Sequence, residues 1–162
     1  MSSRSKDIKR KRMVMLQIII IAAVIIAAAL LVAFFVFGGK HKAKKAAETY
    51  MDGIAAQNLD TVLEVTDSDN DICEAYATAF TRDDETISDF KYEISDCSKA
   101  SDEDVAQAGR VFYEDEEMEF DKAYLCIADC SMESTTSVGT VTAQYEIFCY
   151  KLDGSWYALR LR

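Results

Sequence analysis

Histidine is nearly absent: His41 is the only one in 162 residues, and the five cysteines include no C-x-x-C pair. His41 stands among lysines beside a long apolar run, outside the folded part of the chain, so no Ser-His-Asp or Cys-His nucleophile can be assembled in that part. A zinc site lacks its usual ligands for the same reason. Basic charge is also scarce beyond residue 45, where eight Lys and Arg face twenty-seven Asp and Glu, a formal net of −19. Proteins hold nucleic acid largely through Lys and Arg on phosphates, so nucleic acid is excluded as a partner. Basic residues collect at the other end: residues 1–45 hold ten Lys and Arg and one Asp, a net of +9.

Polar residues are missing from one long stretch. Residues 13–37 read MVMLQIIIIAAVIIAAALLVAFFVF, with Gln17 the single polar side chain. As a helix rising about 1.5 Å per residue, this run exceeds a hydrocarbon core of roughly 30 Å, which makes it a candidate anchor in a lipid bilayer. A buried soluble helix would be shorter and show a polar face. A cleaved signal peptide would have an apolar region of only about 7–15 residues. AAA at 27–29 is small enough to be cut, but the length favours an uncleaved span, and no Cys follows closely enough for lipid attachment. Six basic residues precede the run (Arg4, Lys6, Lys9, Arg10, Lys11 and Arg12) and four follow it (Lys40, Lys42, Lys44 and Lys45). That asymmetry predicts a cytoplasmic N-terminus and an extracytoplasmic C-terminal domain at the cell membrane. The expected organisation is a basic tail at 1–12, a transmembrane helix at 13–37, a basic hinge at 38–45 where Gly38 and Gly39 break the helix, and a domain at 46–162.

Helical periodicity opens that domain. Ala47, Tyr50, Met51, Ile54 and Ala55 form one stripe, Asn58 can cap a short helix carrying Leu59, Val62 and Leu63, and DICEAYATAF places Cys73, Tyr76, Ala77 and Phe80 on one face. Strand alternation follows in DFKYEIS. Ser101 and Asp104 resemble a capping box opening a helix through Val105, Ala108, Val111 and Phe112. After the acidic connector EDEEMEF come two long strands, at about 122–132 and 141–152, and Asp153-Gly154 predicts a type I′ turn into a last strand at 156–161. Helices segregated from an antiparallel sheet define an α+β domain.

The helix pair AAQNLDTVLEV, the helix start SDEDV and the terminal hairpin YKLDGSWY, taken with this element order, resemble the nuclear transport factor 2-like, or cystatin-like, fold. The resemblance covers roughly residues 44–162 and is closest to membrane-attached or lipoprotein domains of Gram-positive bacterial envelopes. It implies a curved antiparallel sheet wrapped around helices. The quoted motifs are structural signatures, and no catalytic residues of the family map onto them. A similar layout, with a short cytoplasmic tail, one span and a domain outside, occurs in the inner-membrane assembly factor of type IV secretion systems.

Strand register can be read from the apolar pattern. Pairing Tyr124 with Cys149, Cys126 with Ile147, Ala128 with Tyr145, Cys130 with Ala143 and Met132 with Val141 makes one face almost wholly apolar, and a one-residue slip would destroy it. Cys149 then meets Ala158 and Lys151 meets Trp156. The opposite face divides into an apolar zone, with Leu125, Phe148, Tyr150, Tyr157 and Leu159, and a polar zone, with Asp129, Ser131, Thr142, Gln144 and Glu146. The first face is expected to pack on helices. Phe148, Tyr150, Tyr157 and Leu159 are then the candidate partner or pocket surface, and a homodimer through the sheet is the economical cover for them.

Cys126, Cys130 and Cys149 read as buried free thiols in preference to disulfides, although an extracytoplasmic domain would permit oxidation. Asp67, Asp69 and Asp71 imitate the start of a calcium loop, but Ile72 stands where glycine is needed and Thr78 where a bidentate Glu is needed, so the stretch reads as a helix cap. Asp129, Glu146 and Tyr150 could imitate the carboxylate and Tyr pairs of enzymes with this fold. Strand carboxylates of this kind are commoner as plain surface groups, and the domain is read as non-catalytic, with no cofactor and no metal. Two functions remain: a binding or assembly domain for an unknown envelope protein, or a pocket for a small ligand or lipid.

Overall fold

Three side-chain oxygens set the helix starts in the C-terminal part of the chain. Asn58 accepts from the Thr61 amide, Asn70 from the amides of Ile72 and Cys73, and Ser101 from that of Asp104, whose carboxylate accepts in return from the Ser101 amide. Each satisfies a donor that the first helical turn leaves unpaired. The computed structural model describes residues 3–81, 87–134 and 139–162, with side chains for these apart from 3–14, 16, 29–37, 87 and 134. Helices α1 (Ser3–Ala55), α2 (Leu59–Leu63) and α3 (Asp71–Phe80) come first, then strand β1 (Ile87–Lys99). Helix α4 (Asp102–Ala108) leads directly into a π turn (Gly109–Tyr113), and β2 (Lys122–Ser134), β3 (Thr140–Leu152) and β4 (Ser155–Arg160) complete the order.

The chain divides into two compact units, Met1–Gly38 and Gly39–Arg162. In the first, the described apolar side chains stand exposed, Ile18 at 61% and Ile25 at 62%. Among the described residues no helix is long and apolar enough to cross a membrane. Within the apolar run, side chains are described only for Met15 and residues 17–28, short of the roughly 20 a span needs.

The helix break expected at Gly38 and Gly39 does not occur, because α1 continues through both. Glycine inside a helix costs only about 1 kcal/mol relative to alanine, and tertiary packing overrides so small a penalty. At Gly39 the packing is visible: a Cβ there would lie 2.6 Å from the Tyr124 hydroxyl. Small residues continue along the same stripe at Ala43, Ala46 and Ala47, followed by Tyr50 and Met51, all buried.

The sheet has four antiparallel strands in the order β1-β2-β3-β4. Its β2–β3 and β3–β4 registers are those the apolar pattern predicts, including Cys126 opposite Ile147 and Cys149 opposite Ala158. One face packs on the C-terminal part of α1, where the Tyr92 hydroxyl donates to the Asp52 carboxylate at 2.5 Å and contacts the Glu48 carbonyl at 3.1 Å. β1 is longer than its alternation suggests. A bulge between Ile94 and Asp96 shifts its phase, so Cys97 lies on the same face as Ile94 and opposite Cys126.

That shift corrects the reading of the cysteines. Cys97 and Cys126 form a disulfide, while Cys73, Cys130 and Cys149 are free and buried. Strict alternation from Phe90, Tyr92 and Ile94 would have put Cys97 on the opposite face, out of reach of Cys126.

Candidate functional site

The expected partner surface is mostly interior. Phe148, Tyr150 and Leu159 are fully buried and Tyr157 is half-buried. Their cover comes from the same chain: Phe120 packs edge-on against Phe148 at 5.4 Å between ring centres and lies 4.9 Å from the Tyr150 ring, and Tyr113 meets Tyr150 at 6.1 Å. Phe120 belongs to the acidic connector and Tyr113 to the π turn. Apolar area that a second copy was expected to bury is therefore already removed from water, and the drive to pair through this face goes with it.

Beneath that cover runs a chain of polar groups. The Tyr113 hydroxyl donates to the Asp67 carboxylate at 2.8 Å, which leaves the Tyr150 hydroxyl, 2.9 Å away, to donate to Tyr113. The Cys73 sulfur lies 3.9 Å from the Tyr150 hydroxyl. Burial pushes the Tyr150 and Tyr113 hydroxyls well above the ordinary tyrosine range and the Cys73 thiol up to about 11. Asn70 adds a tie, its amide donating at 2.9 Å to the Phe112 carbonyl while its oxygen caps α3. Asp67, expected to cap a helix, is instead buried and accepts from both Tyr113 and the Asp69 amide. Fully satisfied buried networks of this kind hold segments in one arrangement. This one fastens the α2–α3 loop and the π turn to the sheet. The carboxylate and Tyr pairing anticipated at Asp129, Glu146 and Tyr150 is not formed, since Tyr150 points into this network.

At the other end of the same sheet face the surface is open. A hollow of about 590 Å³ is lined by Lys91, Glu93, Asp129, Ser131, Thr142 and Gln144 together with parts of their neighbours. Gln144 donates to Asp129 at 2.8 Å, and hydrogen bonds from Ser95 and Gln144 hold the Asp129 carboxyl below its ordinary range. Glu146 lies apart from the hollow, paired with Arg162 at 3.0 Å, and Arg162 reaches Asp104 as well. Burial raises the Asp104 carboxyl, but the Ser101 and Arg162 hydrogen bonds outweigh it and bring the group below its usual range. A second hollow, about 760 Å³, follows α3 between Leu59, Asp71, Glu74, Ala75, Thr78 and Ala79. Its Thr78 hydroxyl is occupied by the Glu74 carbonyl at 2.8 Å.

Among the described residues no group of three or more His, Cys, Asp or Glu is placed to hold a metal ion. No protein-family model matches the sequence, and neither a curated protein nor a solved structure matches it.

Proposed function

We propose that the chain is a membrane-anchored, non-catalytic binding or assembly domain of nuclear transport factor 2-like type, held outside the cytoplasm by residues 13–37, which meets an envelope protein through the polar end of its sheet. The observation that carries this reading is the contrast on one sheet face: the apolar end is filled by Phe112, Tyr113 and Phe120, while the polar end is a shallow, open hollow. A ligand pocket would have the opposite form, a deep apolar cavity with a few convergent polar groups. The filled end weighs against the small-ligand or lipid alternative. The exposed isoleucines of α1 and the basic residues flanking the run support the anchor and its orientation.

Two experiments test the reading. Protease added outside intact protoplasts is expected to digest residues beyond about 45, and full protection would reverse the orientation. A photo-crosslinking residue at Gln144 in intact cells is expected to give a discrete protein adduct that the same residue at Glu103, on α4, does not. Equal labelling from both positions would remove the hollow as the meeting surface.

A further inference from the structure

β1 is an edge of the sheet, paired with β2 on its inner side. Among the described residues no backbone hydrogen bond reaches its outer side. An edge of this kind presents a row of amides and carbonyls that another strand can meet. Two bulges bound its regular part, one between Ser88 and Lys91 and one between Ile94 and Asp96. Only a short window centred near Tyr92 and Glu93 is flat enough to accept a partner strand, so the edge cannot template open-ended association.

Symmetry and charge then select the partner and its register. In an antiparallel pair of identical strands related by a dyad perpendicular to the sheet, each side chain keeps its face, so opposed residues must share that face and their numbers must sum to an even value. With Lys91 on the dyad, two lysines oppose each other and Asp89 meets Glu93. With Glu93 on the dyad, two glutamates oppose each other. With Tyr92 on the dyad, Lys91 lies opposite the partner's Glu93 twice over, and Phe90 lies opposite Ile94. Opposite charges placed directly across a strand pair stabilise it and like charges oppose it.

We infer that a second copy of this chain adds to the β1 edge in that register, extending the four-stranded sheet to eight strands across a dyad at Tyr92. Lys91 and Glu93, both exposed, belong to the face that carries the polar hollow, so the two hollows adjoin across the dyad. The net negative charge of the domain opposes association, and salt screens it over about 8 Å at physiological ionic strength. The inference does not depend on the anchoring or the envelope partner proposed above.

Charge reversal tests it in the full chain, solubilised in detergent, with mass read by sedimentation equilibrium and folding by circular dichroism. The wild type is expected to dimerise. Lys91→Glu and Glu93→Lys are each expected to weaken the dimer by about tenfold or more, because two attractive cross-strand pairs become two repulsive ones. The double variant is expected to recover the wild-type association, and the two single variants mixed are expected to form the heterodimer. A wild-type monomer at every concentration, a dimer indifferent to both reversals, or a double variant that stays dissociated would each overturn the inference.

Discussion

Phe148 and Tyr150 on β3 are fully buried, whereas Thr142 and Gln144, on the same strand and the same face, are exposed. The strand is regular and paired on both sides at the buried end and no less regularly paired with β2 at the open one, so its own geometry does not make the difference. The difference comes from what lies over it. α4, the π turn and the connector deliver Phe112, Tyr113 and Phe120 to one end only. Burial on this sheet is decided by segments far away in sequence, and the two ends should respond to substitution in opposite ways.

Phe112→Ala should produce the largest effect, a loss of about 3–5 kcal/mol in denaturant unfolding, since a fully buried ring leaves a cavity. A loss below about 1 kcal/mol would mean that the cover is loosely held. Next comes the disulfide under α1. Reducing Cys97–Cys126 should cost about 2–4 kcal/mol, and denatured, unreduced protein should take up thiol reagent at Cys73, Cys130 and Cys149 alone. Labelling of all five without reductant would remove the bridge. Tyr150→Phe should cost about 1–3 kcal/mol, because the Tyr113 hydroxyl loses its neighbour in a buried network.

A further loss should appear at high pH. Burial raises the Cys73 and Cys130 thiols to about 11 from an ordinary value near 9, so the folded state holds protons that the unfolded chain releases. Stability from these groups is complete below about pH 9 and declines as pH rises toward 11. Cys73→Ala together with Cys130→Ala should flatten that decline in a pH series of unfolding curves. The smallest effect belongs to the open end: Gln144→Ala should change stability by no more than about 0.5 kcal/mol while weakening any adduct formed there. A large destabilisation at Gln144 would erase the distinction between the two ends.

The sequence discloses these regions unevenly. Register between β2, β3 and β4 is legible because long alternating runs on adjacent strands allow only one arrangement with a continuous apolar face. Caps at Asn58 and Ser101 are legible because their chemistry is local. The covering of Tyr150 is not, since Phe120 sits in an acidic stretch that reads as solvated, and one aromatic residue among carboxylates carries no periodic signal. Cys97 is hidden by the bulge before it, where Ser95, Asp96 and Ser98 offer no apolar alternation from which a change of phase could be read. At Gly39 local propensity favours a break, and a contact with Tyr124, distant in sequence, prevails.

The wide turn at Gly109–Tyr113 carries angular information. Each residue of an α-helix advances the chain by about 100°, and a turn closed from i to i+5 absorbs one residue more than an ordinary turn does. Gly109 permits the accommodation, because a Cβ there would lie 2.2 Å from the Asp115 carbonyl oxygen. Deleting a single residue from this turn would restore an ordinary helix and swing everything after it through roughly a quarter of a rotation. Tyr113 would lose its bearing on Asp67 and Tyr150, and Phe120 would follow it off the sheet. The length of this segment therefore works as a dial setting: a one-residue deletion here should uncover the apolar end of the sheet although every side chain that covers it is still in the sequence.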